Sequence, residues 1–202
     1  MKTSLTILSL VLAAASASAE PLTFDFKDPK GVNHAAFKMD APLETISGSA
    51  SGISGKVTFD PAKPSATTGK IVVATETLTV GNAMMRDHML SEGWMDAKKH
   101  PEITFEAKSL KNVKTEGDST TADAVGTFTL KGITKEITVP VKLTYLKDKL
   151  AARMPNMKGD LLVIRSSFSI KRSDFNIQPG KNEDKVSDEI ELTLSIAGYA
   201  TR

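Results

Sequence analysis

EITVPVKLTYL, residues 136–146, decides the fold class. Ile137, Val139, Val141, Leu143 and Tyr145 fall on one side of an extended chain, and Thr138, Pro140, Lys142 and Thr144 fall on the other. A strict period of two is the mark of a strand with one apolar and one solvated face. Pro140 cannot donate to a ladder, so its place in the run points to an edge, a bulge or an outward position.

The same alternation extends in both directions. EITFEA sets Ile103, Phe105 and Ala107 against Thr104 and Glu106, VIRSSFSI sets Ile164, Phe168 and Ile170 against Arg165, Ser167 and Ser169, and EIELTLSIAGY collects Ile190, Leu192, Leu194 and Ile196. HAAFKMD, GKVTFD, GKIVVATETLTV and AVGTFTLKG are further strand candidates, and Lys131-Gly132, Gly117-Asp118, Asp60-Pro61 and Pro179-Gly180 mark turns. About eight long strands with one apolar face each close most economically into an antiparallel barrel, with a two-sheet sandwich as the alternative. The one helical pattern runs from Asn82, a suitable N-cap, to Trp94, with Met85, His88 and Met89 on one stripe and Gly93 at its end. Asp148 to Asp160 has room for a second short turn. SGSASGISG, residues 47–55, reads at first sight as a flexible linker, but no composition shift surrounds it.

The N-terminus has the layout of a secretory leader. Lys2 precedes an apolar run from Leu5 to Ala15, and Ala17-Ser18-Ala19 is a small-x-small cleavage site. Cleavage after Ala19 leaves residues 20–202 as one domain, and a periplasmic location is expected. No further run reaches spanning length. The formal charge of +2 and the scarcity of aromatics give no support to a nucleic-acid partner. With no cysteine in 202 residues, disulfides and thiolate metal sites are ruled out.

Catalytic patterns are missing too. The three histidines, His34, His88 and His100, form no closely spaced pair, and no nucleophile elbow or phosphate loop occurs. The expectation is therefore a protein that is not an enzyme and carries no cofactor or metal. What remains is apolar surface. Periodicity leaves open whether the barrel interior is filled or keeps room for a ligand, and Ala35, Ala50, Gly126 and Ser166 are inward positions that would leave space.

Several motifs together resemble the YceI-like proteins, an exported, lipocalin-like family. They are GKVTFDPAKP, the long run GKIVVATETLTVGNAMMRDHMLSEGWMDAKKHPEITFEAKSL, GTFTLKGITKEITVPVKL, FSIKRSDFNI and DEIELTLSI. The most specific pieces are Arg86-Asp87 followed by Trp94-Met95-Asp96, the hairpin Thr129 to Lys135, and Arg172 to Phe175. The resemblance implies an eight-stranded, lipocalin-like antiparallel β-barrel with one or two short helices. It also implies a long apolar cavity for a polyisoprenoid, an isoprenoid quinone or a fatty-acid amide. Under it, residues 47–55 become a strand, with Ala50 and Ile53 standing where the family pattern has phenylalanines.

On that fold the expected ligand-binding positions follow the strands. The first half supplies Ala35, Phe37, Met39, Ala50, Val57 and Phe59, then Ile103 and Phe105. The second half supplies Phe128, Leu130, Val139, Val141, Leu143, Ile164, Phe168, Leu192 and Leu194. Met84, Met85 and Met89, flexible and polarizable, and Trp94 would close or line one end. Arg86 and Asp87 read as structural anchors of the helix, and His88 reads as incidental. The partner expected is a hydrophobic small molecule held for transport, storage or stress response, with a homodimer as the candidate assembly. The competing readings are a stress accessory that presents a quinone to a membrane partner and an enzyme that modifies a lipid.

Overall fold

The computed structural model describes residues 20–202; the leader expected at residues 1–19 lies outside them. The strands are β1 (Leu22–Asp25), β2 (His34–Asp40), β3 (Thr45–Ala50), β4 (Ile53–Phe59), β5 (Thr68–Ala74) and β6 (Thr79–Val80), then β7 (Glu102–Glu116), β8 (Ser119–Leu130), β9 (Ile133–Leu146), β10 (Gly159–Lys171) and β11 (Glu189–Thr201). Two short helices, α1 (Ala83–Leu90) and α2 (Leu150–Arg153), interrupt them.

Neighbouring strands pair antiparallel in the order β1-β4-β5-β7-β8-β9-β10-β11, and β11 returns to β1, which closes the barrel. The three short strands β2, β3 and β6 continue from β11 beyond the ends of β1, β4 and β5. Strand β11 pairs β1 at Tyr199↔Asp25 and β2 from Ser195↔His34 to Glu191↔Lys38. Thus β1/β2, β3/β4 and β5/β6 are three interrupted wall positions. With the five long strands they make an eight-position antiparallel barrel, the architecture the periodicity favoured over a sandwich.

Two of these interruptions have a polar repair. Between β1 and β2 the backbone leaves the wall, and Asn33, 1% exposed, substitutes for it. Its Oδ1 accepts from the Ala197 N–H (2.9 Å), while its Nδ2 donates to the Ala197 and Phe26 carbonyls (3.2 Å each). A carboxamide has one acceptor and a donor pair, so it can replace a strand's peptide group opposite Ala197. Residues 47–55, expected as one strand, are broken at Ser51-Gly52, where the Gly52 N–H is bound by Thr77 Oγ1 (3.1 Å) and the Gly52 carbonyl by the Ala74 N–H (2.8 Å).

The β8–β9 hairpin turns in two residues. Lys131 and Gly132 have φ of 49° and 74°, and Leu130 pairs Ile133, the mirror-image turn that suits strand twist. A Cβ on Gly132 would lie 2.6 Å from the His100 ring, so the turn also needs glycine for contact. Gly126 does not leave space as expected: its Cβ would meet the Glu106 carbonyl oxygen at 2.2 Å, so the absent side chain allows backbone approach at the β7–β8 bulge.

Helix α1 starts where the sequence places it, with Asn82 Oδ1 accepting from the Met85 N–H (2.9 Å), but it ends at Leu90 rather than Trp94. Ser91 is extended and its hydroxyl donates to the His88 carbonyl (2.6 Å), which draws that carbonyl away from continuing the helix.

Candidate functional site

The interior divides into a solid half and an open half. In the solid half, Phe24, Phe26, Phe59 and Leu162 pack with Leu143 and Ile196. Tyr145 meets Phe24 edge-on with ring centres 6.2 Å apart and Phe59 at 5.8 Å. Gly198 lies under Phe26, whose ring atoms would be 2.7 Å from any Cβ there. Asp160 ties this end. It accepts from the Tyr145 hydroxyl (2.8 Å), the Asp148 N–H (2.8 Å) and Arg202 (2.7 and 2.9 Å). Burial pushes the Asp160 carboxyl up, but these bonds and the Arg202 charge outweigh it and hold it below the ordinary carboxylate range. Burial, reinforced by the bond to Asp160, pushes the Tyr145 hydroxyl up to about 12.

In the other half the same alternation encloses a cavity of about 230 Å³. That is an order of magnitude above the ~10–15 Å³ that holds one water, so it is not a packing defect. Alanines in the wall make the room: Ala35, Ala50, Ala107 and Ala124 line it. Apolar side chains make almost all of the remainder. Among the described residues no buried side-chain nitrogen or oxygen lacks a hydrogen-bond partner, so the wall has no free buried polar group to offer.

Arg172 illustrates this. It borders the cavity and is fully buried, yet all its donors are engaged by main-chain carbonyls. Nε donates to Ser187 (3.1 Å), Nη1 to Ile177 (2.8 Å) and to Gln178, and Nη2 to Lys181 (2.5 Å) and Val186 (3.1 Å). One guanidinium therefore folds residues 177–187 around itself, setting Ile177 in the cavity wall. Asp188 clamps the same turn through the Ser173 N–H (2.9 Å) and hydroxyl (2.8 Å). Burial raises the Asp188 carboxyl, but the two Ser173 bonds and the Arg172 charge bring it below its ordinary range.

The α1 end of the cavity is walled by Leu78, Met89, Trp94 and Met95. Arg86 anchors the helix by donating to the carbonyls of Leu78 (3.0 Å) and Glu76 (2.5 Å), while Asp87 is exposed. His88, which the sequence reading set aside as incidental, accepts the Trp94 indole N–H at Nε2 (3.1 Å), with the rings edge-on at 5.7 Å. It therefore orients the tryptophan that borders the cavity.

Of the positions expected to bind a ligand, the structure brings Ala35, Phe37, Met39, Ala50 and Val57 together with Ile103, Phe105, Phe128, Leu130, Val139, Val141 and Leu143 around one cavity. Ile164, Phe168, Leu192, Leu194, Met89 and Trp94 complete that set. Three positions fall elsewhere. Phe59 packs against Tyr145 in the solid half. Met84 and Met85 lie on the outer side of α1, 83% and 37% exposed, because Arg86, Met89 and Leu90 form the face turned inward. Ile53, the second departure from the phenylalanine pattern, packs in the solid core, whereas Ala50, the first, borders the cavity.

Ile71, Val73, Leu78, Ile170, Ile177 and Ile190 also line the cavity and were not expected to. Ile170 and Ile190 continue the alternation already read on their strands, and Ile71 and Val73 lie at a two-residue spacing on β5, so period two could have found them. Leu78 and Ile177 sit in irregular turns where no period applies.

A sequence profile of the YceI-like domain matches residues 21–197. The UPF0312 protein of Pseudomonas aeruginosa (strain LESB58) is 29% identical over 197 residues, covering 96% of both chains. Among solved structures, Burkholderia cenocepacia BcnA superposes with a TM-score of 0.65 at 24% identity, over 82% of this chain and 94% of that one. A polyisoprenoid binding domain from Saccharophagus degradans superposes with a TM-score of 0.62 at 10% identity, over 91% of this chain and all of that one (100%).

Proposed function

The chain belongs to the YceI-like family, and from that premise we propose that it is an exported binding protein that holds the hydrocarbon chain of an amphiphile inside its barrel. A polyisoprenoid, an isoprenoid quinone or a fatty-acid amide has the required shape, and transport, storage or stress response is the role. The observation that carries the reading is the cavity itself: apolar walls, with its one charged neighbour, Arg172, saturated by carbonyls. The description of the Saccharophagus degradans domain as polyisoprenoid binding supports the same class of ligand. Binding rather than turnover fits a cavity where no lining side chain is placed to move a proton.

The energetics favour tails over heads. Each CH₂ withdrawn from water contributes about 0.8 kcal/mol, so an isoprene unit contributes ~3–4 kcal/mol gross. Chain ordering and association costs offset much of that sum, and selectivity comes from matching the chain to the cavity. No helix among the described residues is long and apolar enough to cross a membrane.

Native mass spectrometry of gently purified protein, followed by denaturation and extraction, tests the proposal. The expected result is a stoichiometric hydrophobic mass that is released on unfolding. Repeated recovery of bare protein that also fails to take up a panel of prenols and prenyl quinones would refute it.

A further inference from the structure

Tail binding leaves one part of the barrel wall unused. Lys142 of β9 and Arg165 of β10 are register partners, so two cations stand directly opposite each other on the outer face. That arrangement costs stability in a sheet. Lys142 also pairs Thr121 of β8, which pairs Lys114 of β7, extending the row to three exposed cations. Among the described residues none of the three is in an ion pair. Asp123, the one carboxylate lining the groove beside them, is instead hydrogen-bonded by Asn112 (2.6 Å), so the groove carries three cations against one acid.

These cations rim an outer groove that shares Val141, Ser166, Thr193 and Leu194 with the lining of the inner cavity, so the wall there is one residue thick. It is also where the wall stops being laced. The β9–β10 ladder runs from Leu146↔Leu161 to Val141↔Ser166 and no further, although β9 reaches back to Ile133 and β10 continues to Lys171. Pro140 supplies the reason: it has no N–H to donate, and its carbonyl is taken by the Ser166 hydroxyl (2.7 Å).

We infer that this groove is the subsite for an anionic phosphate headgroup, the head of the same amphiphile whose tail fills the cavity, with the unlaced β9–β10 seam beside Pro140 as the passage between them. The inference rests on the tail-binding proposal. The cavity has no free polar group for such a head, whereas Arg165 and the two lysines outside offer unpaired donors and charge suited to phosphate.

Trp94, the only tryptophan, borders the cavity and reports on its occupancy. Its fluorescence is titrated with geranylgeraniol and with geranylgeranyl monophosphate, in the unaltered protein and in a Lys142→Thr/Arg165→Thr variant that keeps strand-favouring residues. The alcohol should bind both proteins equally, which also shows that the variant is folded. The monophosphate should bind the unaltered protein roughly tenfold tighter than the alcohol, an advantage lost in the variant and reduced by salt. Equal affinity for the two amphiphiles in the unaltered protein, or an advantage that survives in the variant, would overturn the subsite. So would a variant that keeps the advantage and loses only its adherence to phosphatidylglycerol vesicles, which would make a bilayer the partner of the groove. No response of Trp94 to either amphiphile would overturn tail binding, and the subsite with it.

Discussion

The two halves of the barrel are built from the same strands and the same alternation, yet one is solid and the other hollow. In the solid half, Phe24, Phe26, Phe59 and Tyr145 fill the width, and Gly198 yields its side-chain space to a phenylalanine ring. In the hollow half, Phe37, Phe105, Phe128 and Phe168 stand among Ala35, Ala50, Ala107 and Ala124, so the rings line the open space rather than fill it. Period two fixes which residues face inward; their volumes decide whether the inside is a core or a container. The ends differ as well. Side-chain networks on Asn33 and Asp160 knit the solid end, whereas the hollow end depends on one arginine that gathers main-chain carbonyls.

The largest effect is expected at that arginine. Arg172→Met keeps much of the volume but leaves five carbonyls without their donor, each costing about 1–3 kcal/mol if it stays buried. Urea unfolding should show a loss above about 4 kcal/mol, or no folded protein. A loss under about 1 kcal/mol would mean that residues 177–187 hold their shape without it.

The comparison itself is tested by one substitution made in each half. Leu162→Ala in the solid half should cost about 3–5 kcal/mol, because it opens a cavity that closely packed neighbours cannot fill. Leu192→Ala, whose side chain already borders open space, should cost only about 1–2 kcal/mol. Equal losses would remove the distinction between core and container.

A smaller, pH-dependent effect belongs to Asp160. Its carboxyl titrates below the ordinary range in the folded protein. Such a group stabilises the fold at every pH above its unfolded value, and that contribution disappears as pH falls through the folded value. On acidification below the ordinary carboxylate range, thermal unfolding of the unaltered protein should therefore fall more steeply than that of Asp160→Asn. Parallel acid profiles would show that the Tyr145–Asp160–Arg202 cluster contributes no such linkage.

The barrel was legible because its physics is local. Alternation along β7 to β11 marks the inward face residue by residue. Pro140, which reads as an edge, a bulge or an outward position without a ladder bond, is outward, paired to β8 at Asp123 and next to the last β9–β10 pair. The cavity was less legible. Ala50 and Gly126 look alike as small inward residues, but one borders open space and the other allows a backbone carbonyl to come close, a difference set by the neighbouring strand. On α1, the stripe of Met85, His88 and Met89 suggested the packed face, but Arg86, pinned to two carbonyls, rotates the helix so that Met84 and Met85 face outward. The roles of Arg172, Asn33 and His88 depend on partners distant in sequence or in irregular turns, where no spacing rule applies.

The most direct test of the hollow half as the binding site is to fill it. Ala50→Phe puts a ring where the wall carries only a methyl group, and prenol binding is followed through Trp94 beside thermal unfolding. The expected result is affinity reduced by at least about tenfold with thermal stability unchanged or raised, because the ring fills space that the core does not use. A variant that binds prenol as tightly as the unaltered protein would contradict the account and place the ligand outside the cavity.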